Sequence, residues 1–466
     1  MTTTNPNTDR GSSLSVVDPS TGEPVGEVPV SDTAAVDAAV RASRAAQPAW
    51  GRRPAAERGQ LLHAMADALE EASDELADLN HRETGKLPAD CRGGIDAAVG
   101  TLRQYAELGP LHRGRSLRGD ALAADYTVTR PRGVVAAITP WNDPVAVSMG
   151  LIGGALVTGN TVIHKPSERN PLLGARLGEI LAAVLPEDVL LTVNGTAEVG
   201  RALVADDRVD VIAHVGSTAT GRDIAARAGT TGAHVIRENG GNDALIIDDT
   251  VDPRWAAAQA ALGSFANAGQ ICTSVERIYV HRAIADEFLD ALTAEAATWT
   301  GGDQAQPLVD RAHRDEVHAQ VSEAVAAGAD LLSGGTVPEG PGAHYPATVL
   351  SSCTGDLRIM REETFGPVAP VQVVDSFSEG LQCADDDRYG LAATVLTARV
   401  DRALNAVSAL SVGTVKINNV FGGAPGGSAQ PHRDSGDGFG YGPELLDELT
   451  TTSVAHMEFP QLTEEE

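Results

Sequence analysis

Apolar and polar positions change period along the chain. Two short β-like stretches with turn signals, around residues 14–17 and 25–30, open it. Asp32 then reads as the N-cap of a helix running through Ala46. Leu61, Leu62, Met65, Leu69, Leu76 and Leu79 fall at helical spacing and predict one long amphipathic helix before Thr84-Gly85-Lys86. From Gly133 the pattern becomes short runs rich in β-branched residues, at 134–138, 161–164, 189–193, 211–215 and 234–236. Helical or glycine-rich segments separate them, the signature of a parallel sheet covered on both faces. A second series follows Gly241: strands at 244–247, 277–280, 368–374 and 413–417, with helices near 255–268 and 284–296. Two α/β domains are expected, and 466 residues exceed what one core usually holds.

Composition narrows the function. The 42% hydrophobic content is ample for such cores, and 49 glycines suit many tight connections. A net charge of −29 argues against nucleic acid and against an anionic membrane surface as partners. Residues 1–12 read as disordered, Glu464-Glu465-Glu466 as a solvated end, and the polar N-terminus carries no apolar signal core. The apolar stretch 145–163 is broken by Ser148, glycines and Asn160, so no membrane span is expected. Four cysteines (Cys91, Cys272, Cys353, Cys383) with no CxxC pair argue against a disulfide framework or zinc site and fit a reducing cytoplasm.

Two motifs carry chemistry. Cys272 ends the run Phe265-Ala266-Asn267-Ala268-Gly269-Gln270-Ile271-Cys272, and Glu238-Asn239-Gly240-Gly241 lies 272 − 238 = 34 positions upstream. A thiol with small neighbours can approach a carbonyl, and a carboxylate can activate the water that hydrolyses the resulting thioester. Taken alone, Cys272 is equally a small buried hydrophobe. The run 211–221 reads as strand, glycine turn at Gly216-Ser217, then helix start, which suits a phosphate or is an ordinary turn lacking the GxGxxG spacing. Lys165-Pro166-Ser167-Glu168 at a strand end suits ribose hydroxyls or is a surface ion pair. In Pro140-Trp141-Asn142-Asp143, the Asn142 amide is a non-titrating donor for an oxyanion, or a turn residue. Glu363 and Phe365 lie two apart and face one pocket or belong to a charged edge strand.

In this order the motifs strongly resemble the NAD(P)-dependent aldehyde dehydrogenase superfamily, from about residue 14 to residue 455. The resemblance implies a Rossmann-type cofactor domain (1–111 and 132–240), an α/β catalytic domain (241–447) and a small β oligomerisation element (112–131 and 448–466). It implies oxidation of an aldehyde to a carboxylic acid, with Cys272 as nucleophile, Glu238 as base for water, and Asn142 with the Cys272 N–H holding the oxyanion. Trp141, Lys165, Pro166, Ser167, Glu168, Gly216, Ser217, Asn239, Glu363 and Phe365 would contact the cofactor. Within that set Lys165 and Glu168 match the adenosine-ribose contacts, Gly216 and Ser217 the pyrophosphate contacts, Glu363 the nicotinamide-ribose ligand and Phe365 the nicotinamide neighbour. NAD is expected, with NADP possible through Ser167; Glu168 would repel a 2′-phosphate. No metal is implied, and a homodimer or homotetramer is.

Four places depart from the family pattern: Asp143 for a bulky apolar residue, Asn239 for a leucine, His164 before the lysine, and the stretch 426–436. These bear on the substrate more than on the chemistry. A CoA-acylating enzyme would lack Glu238, and a non-catalytic relative would not keep Cys272, Glu238 and Asn142 together.

Overall fold

The computed structural model describes residues 13–422 and 430–458. The segment 1–12, the acidic end Glu464-Glu465-Glu466 and residues 426–429 of the divergent stretch lie outside them. Two large sheets organise the chain. The first is ordered Gly436–Asp437, His234–Glu238, Val211–Val215, Val134–Ile138, Thr161–Lys165, Leu190–Thr192. All its pairings are parallel except that of Gly436–Asp437. Apolar side chains point both ways from these strands: Val135, Ala137 and Val162 into one core, Val134, Ala136 and Ile163 into another. That two-sided burial is why the runs are continuous rather than alternating.

The strand order reverses direction between Val134–Ile138 and Val211–Val215. The loops leaving their carboxyl ends diverge there and open a crevice, the usual ligand position of such sheets. Those loops are Pro140-Trp141-Asn142 and Gly216-Ser217.

The second sheet runs Asp330–Ser333, Thr348–Ser351, Val368–Val374, Val275–His281, Asp243–Ile247, Ala392–Leu396, Thr414–Ile417, parallel apart from the Asp330–Ser333 edge. Its three central strands are adjacent, so their amino ends align. Phe365, Cys272 and Gly241 immediately precede those ends and are thereby gathered at one edge. A third sheet pairs Thr450–Glu458 with Ala123–Pro131, and the latter with Ser116–Leu117, all antiparallel.

Four expectations need correction. The helix capped by Asp32, whose carboxylate accepts the Ala35 N–H, continues past Ala46 to Arg52. The long helix over 61–79 is two helices, Ala55–Glu71 and Ser73–Thr84, which break at Ala72. Asp74 and Glu75 fall in the first turn of the second helix, where carboxylates favour a new N-terminus. The helix predicted to Ala268 stops at Phe265, because Asn267 (φ 51°) and Ala268 (φ 53°) turn left-handed. Finally, the chain returns to the first unit before residue 447. Gly436–Asp437 pairs with Arg237 and Glu238, while Leu445, Leu446 and Leu449 join the core of Leu102, Met149 and Ile152. Burying three leucines there contributes several kcal/mol, at roughly 1.5–3 each.

Candidate active site

Cys272 is held at a junction of loops. Gly269 has φ 72°, and a Cβ there would fall 2.1 Å from the Gly366 carbonyl oxygen. Only glycine lets the cysteine loop lie against the Glu363–Phe365 loop this closely. Gln270 then clamps the turn: its Nε2 donates to the Asn267 carbonyl at 3.0 Å, and its Oε1 accepts the Val309 N–H at 2.8 Å.

A cavity of about 230 Å³ opens at this junction. It is lined by Trp141, Asn142, Gly216, Ser217, Asn239, Cys272, Glu363 and Phe365 from the sequence-derived set, so eight predicted residues from five separate segments meet in one space. Lys165, Pro166, Ser167, Glu168 and Glu238 do not line it. Lys165 is buried at the end of its strand, with Nζ 3.0 Å from the Pro166 carbonyl and 3.4 Å from Glu168 Oε2.

Asn142 Nδ2 donates to the Gln270 carbonyl at 3.1 Å. An amide carries two N–H groups, so the other remains for a ligand oxygen. Burial pushes the Cys272 thiol up to about 12, the charges of Glu238, Asp243 and Glu363 add, and Lys416 opposes. The cysteine is therefore a thiol at neutral pH. Burial also raises the carboxyl of Glu238, to about 7. Its side chain packs on Gly440, where a Cβ would lie 2.6 Å from its Cδ.

The Glu363–Phe365 loop is gripped from several sides. Glu363 Oε1 accepts the Gly241 N–H at 3.0 Å. The buried Glu276 accepts the N–H groups of both Thr364 and Phe365, fixing Phe365 at φ 52°. His313 Nε2 donates to the Phe365 carbonyl at 2.7 Å, and the Phe365 ring meets Trp141 edge-on at 5.6 Å. Glu276, His313, Arg169 and Gln270 escaped the sequence reading. Gln270 sat inside a quoted motif, whereas the others carry no local pattern.

The departures also have partners. Asp143 Oδ1 meets Lys86 Nζ at 3.0 Å. Asn239 Nδ2 donates to the Asp434 carbonyl at 2.9 Å. His164 is buried between Thr139 and Ser148, and burial pushes its imidazole down to about 3, so it is neutral.

The residues suit a dinucleotide. The helix Thr218–Thr231 points its amino end at the crevice, and the buried Thr218 hydroxyl and Asn239 Oδ1 lack hydrogen-bond partners among the described residues. Thr218 can donate to a phosphate oxygen, whereas the Asn239 amide oxygen needs a donor such as a ribose hydroxyl.

The chain matches the aldehyde dehydrogenase family over residues 6–455. It belongs to that family. It is 35% identical over 467 residues to the NAD(+) benzaldehyde dehydrogenase of Pseudomonas putida, covering 96% of this chain and 94% of that one. Among solved structures, PnpE in complex with nicotinamide adenine dinucleotide superposes with a TM-score of 0.93 at 33% identity, covering 96% and 94% of the two chains. An E. coli NADP-dependent enzyme gives a TM-score of 0.93 at 29% identity, covering 97% and 96%. This aldehyde dehydrogenase oxidises aldehydes to carboxylic acids with a nicotinamide dinucleotide. Among the described residues no helix is long and apolar enough to cross a membrane.

Proposed function

We propose that Cys272, Glu238 and Asn142 carry the reaction. The thiol of Cys272 loses its proton to solvent water, and its sulfur adds to the aldehyde carbon to form a thiohemiacetal oxyanion. The free N–H of Asn142 and the backbone N–H of Cys272 stabilise that oxygen without titrating. NAD, when bound, supplies the acceptor for the hydride that leaves the same carbon. The carbonyl re-forms as a thioester on Cys272. Glu238 then takes a proton from water, the hydroxide adds to the thioester carbon, and collapse expels the Cys272 sulfur and the carboxylic acid.

The observation that carries this reading is the meeting of Asn142, Cys272 and Glu363 in one cavity, beside a carboxyl whose pKa lies near neutrality. For the cofactor, Glu363 and Phe365 would hold the nicotinamide ribose and ring, Gly216 and Ser217 the pyrophosphate, and Lys165 with Glu168 the adenosine ribose. Trp141, Pro166, Ser167 and Asn239 would complete its walls.

The 1–111 and 132–240, 241–447, and 112–131 with 448–466 divisions serve as cofactor, catalytic and oligomerisation units, save that 436–449 packs with the first. The three-stranded sheet supports a homodimer or homotetramer, through exposed Tyr126, Val454 and Met457. Four free cysteines support a cytoplasmic location.

The test is Cys272→Ala, assayed with an aldehyde panel by NADH absorbance and with NAD by calorimetry. Oxidation should vanish while NAD binding persists. Turnover at the wild-type rate would remove Cys272 from the mechanism.

A further inference from the structure

The residues assigned above to the doubly charged pyrophosphate, Gly216 and Ser217, carry no charge, and the chain as a whole is strongly acidic. Among the described residues that line the cavity, Arg169 is the one cationic side chain. His313 beside it is neutral, since burial and the charge of Arg169 push its imidazole down to about 4.

Arg169 follows Glu168 directly in the chain and shares the cavity with Gly216, Ser217 and Glu363. The pyrophosphate joins the two riboses. A side chain between the adenosine-ribose ligand and the nicotinamide-ribose ligand therefore lies along it.

The guanidinium is oriented from two sides. Its carbon sits 5.2 Å from the centroid of the Trp141 ring, which holds the plane by cation–π contact. Its Nε lies 3.0 Å from Asp310 Oδ2, and the other oxygen of that carboxylate caps the helix Arg311–Ala326 at the His313 N–H, 2.7 Å away. Asp310 is thus anchored and draws the guanidinium towards it by charge, without a hydrogen bond at Oδ2. The terminal amino groups have no hydrogen-bond partner among the described residues, and the side chain retains 24% exposure. A planar fork with unused N–H donors matches phosphate oxygens in pairs, which an ammonium cannot do.

We propose that Arg169 binds the pyrophosphate of the cofactor, with Trp141 and Asp310 holding its guanidinium in place. The proposal rests on the cavity being the cofactor site.

The experiment measures dissociation constants of NAD, ADP-ribose and adenosine by calorimetry for wild type, Arg169→Gln, Arg169→Lys and Glu363→Gln. Arg169→Gln should weaken NAD and ADP-ribose by about 10- to 100-fold, the worth of a charged hydrogen bond. Adenosine, which has no phosphate, should bind unchanged, and Arg169→Lys should recover part of the loss. NAD affinity of the wild type should also fall more steeply with salt than that of Arg169→Gln. Unchanged NAD binding in Arg169→Gln alongside weakened binding in Glu363→Gln would overturn the role of Arg169 and leave the cofactor site standing. Unchanged binding in both would overturn the site itself. An equal loss for adenosine would show a general disturbance of the cleft and would also overturn the proposal.

Discussion

The carboxylate of Glu276 accepts the backbone N–H of Phe365 at 2.9 Å, and its second oxygen accepts that of Thr364 at 2.5 Å. Glu276 lies four residues after Cys272, on the strand Val275–His281. One buried side chain thus ties the strand that follows Cys272 to the loop that presents Glu363 and Phe365. Replacing Glu276 by Gln turns one acceptor into a donor facing an N–H, leaving a buried group unsatisfied at a cost of about 1–3 kcal/mol. The KM for NAD should rise about tenfold, with a smaller change for the aldehyde. An unaltered KM for NAD in steady-state kinetics would count against this positioning role.

Glu238 predicts a pH profile. Its folded-state pKa is raised to about 7 by burial, so the ionised base is present above that value and lost as pH falls through it. Turnover should therefore decline below about pH 7. Glu238→Gln should slow thioester hydrolysis by about 10² to 10⁴, giving a burst of NADH followed by a slow steady state. It should also abolish the acidic limb. A Glu238→Gln enzyme with the wild-type profile would assign the base elsewhere.

Gly440 sets where the Glu238 carboxylate rests. A Cβ at this position would lie 2.6 Å from Glu238 Cδ and 2.7 Å from Oε1. Gly440→Ala must displace the carboxylate, and misplacing a catalytic group by about 1 Å costs about 100-fold in rate. NAD affinity should be retained, because Gly440 does not line the cavity. Wild-type kcat in Gly440→Ala would show that the contact is idle.

On the proposed assignment of Glu168 to the adenosine ribose, cofactor choice turns on its charge. Burial disfavours its charge, but Lys165, Arg169 and local hydrogen bonds outweigh that and keep its carboxyl below the ordinary range. It is ionised at neutral pH and would repel a 2′-phosphate. The kcat/KM should favour NAD over NADP, and Glu168→Gln should narrow the gap. A large NADP preference in the wild type would defeat this assignment.

Much of the molecule was legible along the chain. Apolar runs such as Val134–Ile138 and Val211–Val215 report burial on both faces through their own composition, so strand positions and the α/β class follow locally. The residues proposed to react, Cys272 and Glu238, also stand out in the sequence, among small residues at recognisable spacing. Tertiary structure decided what they touch. Gly436–Asp437 joins a strand some 200 residues earlier, and the helix after Pro253 ends in left-handed Asn267 and Ala268. Arg169 and Asp310 are 141 positions apart and meet at 3.0 Å; Glu276 and Phe365 are 89 apart. Periodicity encodes which way a residue faces on its own element. Hydrogen-bond partners depend on how elements pack, so Arg169, Glu276 and His313 acquire their roles only when the amino ends of the second sheet meet the carboxyl ends of the first.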